Sequence, residues 1–180
     1  KPGGLEGFIS VADINNDGQP DILPNVCHGE QGWYEFHRDR SAAHGVRWER
    51  HPLPSELTGA GVGVGDINGD KRCDIVGFKG WAEQPPGSGD PWIWHGEFDL
   101  VDPGIPIAVD DVDGDGDADL IWGIGHNYGV YWMEQGKSDS GERTWIKHEI
   151  DRAWSQAHVI LLGDLDGDGD VDRILSYGGR

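Results

Sequence analysis

Short apolar runs alternate with acidic loops along the whole chain, and each loop has one such run on either side. Runs before the loops cover residues 8–12, 61–65, 105–109 and 158–162, and runs after them cover 22–23, 75–78, 120–124 and 174–175. Apolar segments this short, bounded by turn residues, predict buried β-strands. Each loop is therefore predicted to connect two neighbouring strands.

Two amphipathic segments follow the second apolar run in the first and third copies of this pattern. They cover residues 32–37 and 46–51 in the first copy, and 129–134 and 144–150 in the third. Glycine and proline interrupt every candidate helix, so the predicted fold class is all-β. Four strands in each copy are the content of one antiparallel blade of a β-propeller.

The pattern recurs at a nearly constant spacing. The loops begin at residues 13, 66, 111 and 164, and a period of roughly 50 residues is typical of propellers and other repeat architectures. We expect a single, partial propeller domain over residues 1–180, with repeats at approximately 5–53, 59–98, 104–150 and 156–180. An open ring of about three and a half blades would leave sheet edges exposed. We therefore expect the ring to be closed by a second copy or, as we prefer, by the rest of a longer chain.

The four loops carry oxygen-bearing side chains at positions one, three, five and nine, and position six is glycine except for Lys71. Such side chains, with the backbone carbonyl of position seven, suit calcium, which takes six to eight oxygen ligands. Without a cation the clustered carboxylates would repel one another. We predict up to four structural Ca²⁺ ions. The predicted ligands are Asp13, Asn15, Asp17, Gln19 and Asp21; Asp66, Asn68, Asp70, Arg72 and Asp74; Asp111, Asp113, Asp115, Asp117 and Asp119; and Asp164, Asp166, Asp168, Asp170 and Asp172.

The four sites are expected to differ in affinity. The third and fourth loops have the most carboxylates, the first has Asn15 at position three, and the second has both Asn68 and Lys71. Lysine is strained in the left-handed conformation that glycine adopts easily, and it adds a positive charge near the ion. The predicted order of affinity is therefore sites three and four, then one, then two.

The loop pattern Asp-x-[Asp/Asn]-x-Asp-x-x-x-Asp between short apolar strands resembles the FG-GAP/VCBS-type repeats of calcium-binding β-propellers. The literal Phe-Gly and Gly-Ala-Pro signatures are missing, so the resemblance is to the VCBS-like branch and not to integrins proper. Propellers of this family usually have seven blades. The resemblance thus implies that this chain supplies part of a seven-bladed ring.

Composition and charge exclude two classes of partner. The formal net charge is −19, and the carboxylates of the four loops account for much of this acidity. No basic face is available to neutralise phosphates, so nucleic acid is not an expected partner. No apolar run is long enough to span a bilayer, so membrane insertion is not expected.

Loops of this type bind calcium where its concentration is near millimolar, so we expect a secreted or cell-surface protein. The sequence starts at Lys1, without methionine, and no signal peptide is visible, so we interpret it as a mature or excised segment. The sequence is compatible both with a disulfide between Cys27 and Cys73 and with two free thiols.

The end of the blades opposite the acidic loops is the expected ligand surface. Turns and links at that end carry side chains that stack on sugars or hydrogen-bond to them. They are His28, Trp81, His126, Asn127, Tyr128, Trp154 and His158. His28, Trp81 and His126 lie at the same distance after the last aspartate of their loops. Three further tryptophans lie near strand ends, where the ring can either pack in the core or stack on a sugar: Trp92, Trp94 and Trp122.

Two functions are compatible with these residues. The first is a calcium-stabilised extracellular module that binds a glycan or protein ligand. The alternative is a polysaccharide lyase or sugar dehydratase, in which His126 or His28 abstracts a proton and Tyr128 protonates the leaving oxygen. In a variant of it, His28, His126 and His158 hold zinc. The absence of a nucleophile motif favours the binding module.

Overall fold

The computed structural model describes residues 5–26, 28–59, 61–87, 89–163, 166–167 and 172–176. Within these residues the chain forms fourteen β-strands, and its single helical segment is one turn of 3-10 helix at Ser55–Leu57. The all-β class predicted from the short apolar runs is therefore confirmed. Among the described residues, no helix has the length and apolar character needed to cross a bilayer.

Three antiparallel sheets of four strands follow one another along the chain. Sheet one contains β1 (Leu5–Ala12), β2 (Asp21–Val26), β3 (Gly32–Arg38) and β4 (Val46–Pro52). Sheet two contains β5 (Gly63–Gly65), β6 (Asp74–Gly77), β7 (Gly80–Glu83) and β8 (Ile93–His95). Sheet three contains β9 (Ala108–Asp110), β10 (Asp119–Gly123), β11 (Tyr128–Lys137) and β12 (Arg143–Ser155). A further hairpin pairs β13 (Val159–Gly163) with β14 (Asp172–Ser176).

In each sheet the strands are neighbours in the order in which they occur in the chain. This up-and-down order in four-stranded units is consistent with propeller blades. Strand β12 continues to Ser155, five residues beyond the expected end of the third repeat at residue 150. The seven-bladed ring stays a prediction.

Apolar side chains fill the space between successive sheets. One cluster between sheets one and two includes Ile14, Leu23 and Ile75, and another between sheets two and three includes Val76, Leu120 and Trp122. The first strands of the sheets approach closely at one edge, where the Ile107 amide donates to the Val62 carbonyl at 3.0 Å. A Cβ added at Gly63 would lie 2.1 Å from the Ile107 carbonyl oxygen, so this approach requires glycine. The sheets are thus packed face to face and joined along their first strands.

One side-chain unit recurs in the outer hairpin of all three sheets. It consists of a tryptophan, a glutamate two residues later and a histidine opposite the tryptophan on the last strand. The indole and imidazole rings stack at centroid distances of 4.4, 4.2 and 4.4 Å, and the histidine Nε2 lies 2.7, 2.9 and 2.5 Å from the glutamate Oε2. The units are Trp33–Glu35–His51, Trp81–Glu83–His95 and Trp132–Glu134–His148. We call each of them a Trp-Glu-His unit, and it holds the two outer strands of its sheet in register.

Candidate metal loops and ligand surfaces

The first two strands of each sheet are connected by an acidic loop, so the loops lie at one end of the sheets. We number them one (residues 13–21), two (66–74), three (111–119) and four (164–172). In loop three the carboxylates of Asp111, Asp113 and Asp115 are exposed, and their ligand atoms lie within 4.8 Å of one another. Among the described residues, this is the group of side chains that converges closely enough to hold a metal ion.

Backbone hydrogen bonds set the shape of loop three. The Gly114 and Gly116 amides donate to the two oxygens of Asp111 at 2.8 and 3.0 Å. The Asp115 amide donates to Asp113, and the Asp117 amide donates to Asp115 at 2.8 Å. Gly116 has a φ of +92°, which glycine adopts without strain. The carboxylates are thus gathered by the backbone around one point, and the donor set is all oxygen, as calcium prefers.

Loops one and two wrap around their first aspartate in the same way. The Asp17 and Gly18 amides donate to Asp13, and the Asp70 and Lys71 amides donate to Asp66, at distances of 2.7 to 3.0 Å. Lys71 has a φ of +70°, the left-handed conformation that Gly18 adopts in loop one.

Loop two also contains a competing cation, because the Arg72 guanidinium is paired with the carboxylate of Asp70. This pairing occupies a carboxylate that was predicted to be a ligand of loop two, and the low affinity expected for that site stays a prediction. In loop three the corresponding position is Asp117, which pairs with Lys137 at 2.7 Å. That contact leaves the three converging aspartates untouched.

The aspartate at position nine differs from the others because it is fully buried. Asp21, Asp74 and Asp119 are each 0% exposed. In every case one carboxylate oxygen accepts the amide of loop position two and the other accepts an amide in or beside the third strand. Burial raises the pKa of all three carboxyls, that of Asp74 to about 6. These residues brace the loop against the sheet. The ligand role predicted for them stays a prediction.

Loop four falls largely outside the described residues. Asp164, Asp168 and Asp170 are not described, Asp166 is exposed, and Asp172 is described only as the first residue of β14. The predicted fourth calcium site therefore stays a prediction. Cys27 also lies outside the described residues. Cys73 has a free thiol whose pKa burial raises to about 12.

Four of the residues expected on the opposite end come together beside sheet three. His126 Nδ1 lies 2.9 Å from Asp102 Oδ1, and the His126 and His158 rings meet edge to face at 5.2 Å. The Gln156 amide donates to the Asn127 carbonyl, and Tyr128 is 59% exposed. His28 is exposed on the corresponding turn of sheet one, and Trp154 is half-buried against the cluster of Ile121 and Val130. The surface is open, and within the described residues the three histidines do not converge as metal ligands.

The expectation that Trp81 offers its ring to a ligand is wrong. Trp81 is 1% exposed and stacks on His95 inside the core. The turn between β6 and β7 has only two residues, 78–79, whereas the turns of sheets one and three are longer. The same count from the acidic loop therefore reaches the interior of a strand in sheet two. Trp122 is also fully buried, which leaves packing as its role.

A groove between sheets one and two was not foreseen. It has a volume of about 850 Å³ and extends from the acidic loops, where Asn15, Asn16 and Arg72 line it, to the segment that follows the opposite end of β4. Its walls are residues 52–56, at and beyond the end of β4, and residues 84–87 and 89–92, between β7 and β8. The signal in the sequence was the run of prolines and tryptophans at Pro85, Pro86, Pro91, Trp92 and Trp94. We call it the inter-sheet groove.

The fold and the loops together define a class: an all-β chain of propeller-like sheets with acidic connections. Comparison with known proteins agrees with this class. Residues 111–175, which include loop three and most of sheet three, match the model of a family described as FG-GAP-like repeat. The chain is also 23% identical over 174 residues to a curated protein named T-cell immunomodulatory protein homolog, from Plasmodium falciparum (isolate 3D7). The match covers 92% of this chain but only 18% of that protein.

Proposed function

We propose that the chain is a calcium-stabilised part of an extracellular β-propeller that binds a glycan or protein ligand. The observation that carries the proposal is the convergence of Asp111, Asp113 and Asp115 in loop three. Three exposed carboxylates within 4.8 Å of one another repel each other unless a cation lies among them. Their all-oxygen chemistry suits Ca²⁺, and the resemblance to the VCBS-like branch supports the same ion.

Calcium would act on stability through the folded state. Backbone amides hold the loop carboxylates together in the folded chain, so an ion held there favours the folded state by mass action. At a free concentration one hundred times the dissociation constant, this contribution is about 2.7 kcal/mol. The position-nine aspartate already connects the loop to the sheet, so the ion would stiffen the exposed half of the loop.

An extracellular location supports such sites. Exposed loops with few fixed ligands bind calcium weakly and fill at the near-millimolar concentrations found outside the cytosol. The match to a small fraction of a longer curated relative supports ring closure by further repeats, with closure by a second copy as the other arrangement. The glycan or protein ligand of the whole protein is part of this proposal.

The test compares melting temperatures in EDTA and in CaCl₂ for the wild type and two variants. Asp115→Ala removes a converging carboxylate of loop three. Asp151→Ala is the matched control, because Asp151 also accepts a nearby backbone amide but lies outside the loops. We expect calcium to raise the melting temperature of the wild type and the control by roughly 5–10 °C. The rise should be smaller for Asp115→Ala. Equal melting temperatures of the wild type in EDTA and CaCl₂ would overturn the proposal.

A carbohydrate lyase is the second candidate, and the His126–Asp102 pair favours it. The carboxylate orients the imidazole of His126, and Tyr128, at the start of β11, has a hydroxyl that could serve as a general acid. The side chain of His126 is 72% exposed, so the site excludes little water. Acidic polysaccharides and keto-sugars should be screened for the ultraviolet absorbance of an unsaturated product. A signal that disappears in His126→Ala would establish the lyase, and its absence favours the binding module.

A further inference from the structure

The inter-sheet groove combines aromatic rings, hydrogen-bonding side chains and a net negative charge. We propose that it binds a neutral oligosaccharide, with the rings of Trp92 and Trp94 against the sugar. The proposal deepens the ligand-binding role proposed above, and it places the ligand between sheets one and two, beside acidic loops one and two. It does not require calcium in the loops.

The aromatic part of the groove is fixed before any ligand arrives. Trp92 and Trp94 are half-buried and pack against the apolar cluster between sheets one and two. Pro85, Pro86 and Pro91 restrict the backbone of the wall that carries them. Rings held in this way lose little conformational entropy on binding. Their apolar faces suit the C–H face of a pyranose, and the indole N–H can bond to a hydroxyl.

Trp92 has a counterpart in sheet three, Trp145, whose side chain is bound within the protein. Three residues before the stacked histidine stand Trp92 in sheet two and Trp145 in sheet three. Trp145 is occupied within the protein, because its Nε1 donates to Glu97 at 2.9 Å and its ring meets Phe98 edge to face at 5.0 Å. Glu97 follows His95 by two residues, and the residue in the same place after His51 is Leu53. The leucine side chain accepts no hydrogen bond, so among the described residues the side-chain contact that holds Trp145 has no counterpart at Trp92.

Polar side chains beside the rings offer both donors and acceptors. Glu35 is held between Asn15 Nδ2 at 3.1 Å and His51 Nε2 at 2.7 Å, so its position in the groove is fixed. Gln84 is 8% exposed and donates to the Ile14 carbonyl, while its Oε1 has no partner among the described residues. Sugar hydroxyls both donate and accept, and they match such a mixed set better than a purely apolar ligand does.

The charges of the groove select against anionic ligands. Among the described lining residues Arg72 is the permanent cation, and it is already paired with Asp70. Glu35, Glu56 and Asp90 are acidic, and the chain as a whole has a formal charge of −19. Sulfated or uronic acid polymers would be repelled. A basic peptide fits less well than a neutral sugar, because Glu35 is already bonded to two side chains.

The experiment measures binding of neutral hexasaccharides to the full chain by calorimetry and by tryptophan fluorescence. The probes are cellohexaose, mannohexaose, xylohexaose and chitohexaose. We expect at least one to bind, and we expect Trp92→Ala and Trp94→Ala each to weaken that binding tenfold or more. Trp48→Ala is the matched control, since Trp48 is 43% exposed on β4 outside the groove. It should leave the affinity unchanged.

Folding and binding are separated by a second variant. Trp92→Phe keeps an aromatic ring and should retain part of the affinity even if Trp92→Ala lowers the melting temperature. The proposal is overturned if no hexasaccharide binds, if binding survives in Trp92→Ala, or if the groove binds a lysine-rich peptide or heparin instead. Calcium-dependent melting is measured independently. A groove that binds sugar in a protein indifferent to calcium would refute the calcium proposal and leave this one standing.

Discussion

Replacing the buried aspartate of loop three separates the bracing of the loop from its metal chemistry. Asp119→Ala removes the acceptors of two backbone amides, those of Val112 at 3.0 Å and Gln135 at 2.8 Å. Asp119 is 0% exposed, so both amides lose an acceptor in a buried setting. We therefore expect the variant to be destabilised even in buffer without calcium.

The size of the effect follows from these two amides. A buried polar group left without a partner costs about 1–3 kcal/mol, so two of them cost roughly 2–6 kcal/mol. Part of this is offset, because burial raises the pKa of Asp119 and removal of the carboxyl relieves that cost. A net loss of about 3 kcal/mol corresponds to a fall in melting temperature of roughly 6–12 °C for a chain of this size. Asp119→Asn retains one acceptor and should lose about half as much.

The assay is thermal unfolding in EDTA, followed by circular dichroism, with Asp115→Ala as the comparison. Asp115 is exposed and accepts one amide, so its replacement should change the melting temperature in EDTA by only a few degrees. An Asp119→Ala protein that melts like the wild type in EDTA and loses only its response to calcium would refute the reasoning. Position nine would then act mainly as a metal ligand.

Two further predictions concern single ionisable side chains. Partial burial opposes the ionisation of Glu97, but the hydrogen bond from Trp145 and the charge of Arg143 outweigh it and hold the pKa of Glu97 below its usual range. Its contribution to stability is therefore present above the unfolded pKa and is lost as pH falls through the folded one. Glu97→Gln should melt below the wild type at pH 7, with the gap closing below roughly pH 4; a gap that is constant with pH would contradict this. Burial raises the pKa of the Cys73 thiol to about 12, so iodoacetamide at pH 8 should modify Cys73 in denaturant but not in the native protein, as mapped by peptide mass. Rapid labelling of native Cys73 would show that the thiol is accessible.

Much of the fold could be predicted because its signals are local. The apolar runs before and after each acidic loop correspond to strand pairs such as β9 and β10, and the loop spacing indicated the repeat. Cross-strand partners were not visible, because the link between the outer strands differs in length from sheet to sheet. The stacking of Trp33 on His51 and of Trp81 on His95 depends on that register. Counting along the sequence assigned Trp81 to the surface because the β6–β7 turn is shorter than its counterparts, and the strand pairing places Trp81 in the core.

One of the two candidate sites could be predicted from local sequence and the other could not. The convergence of Asp111, Asp113 and Asp115 follows from their spacing within one loop, so the sequence was enough to predict it. The inter-sheet groove depends on residues 52–56 and on residues 84–87 and 89–92, which are distant from each other in sequence and belong to no repeated pattern. Only the packing of sheet one against sheet two brings them together, and no local pattern reports that packing.

Buried and exposed aspartates have different roles in the loops, and this difference determines how calcium would act on the whole chain. Asp21, Asp74 and Asp119 connect their loops to the sheets through backbone amides that need no ion. The Trp-Glu-His units connect the outer strands independently of the loops. Removal of calcium would thus loosen the exposed half of each loop while the sheets stay paired. The response of the melting temperature to calcium should be graded, as sites of unequal affinity fill, and a single cooperative step from unfolded to folded would mean that the ion, not the buried frame, holds the sheets together.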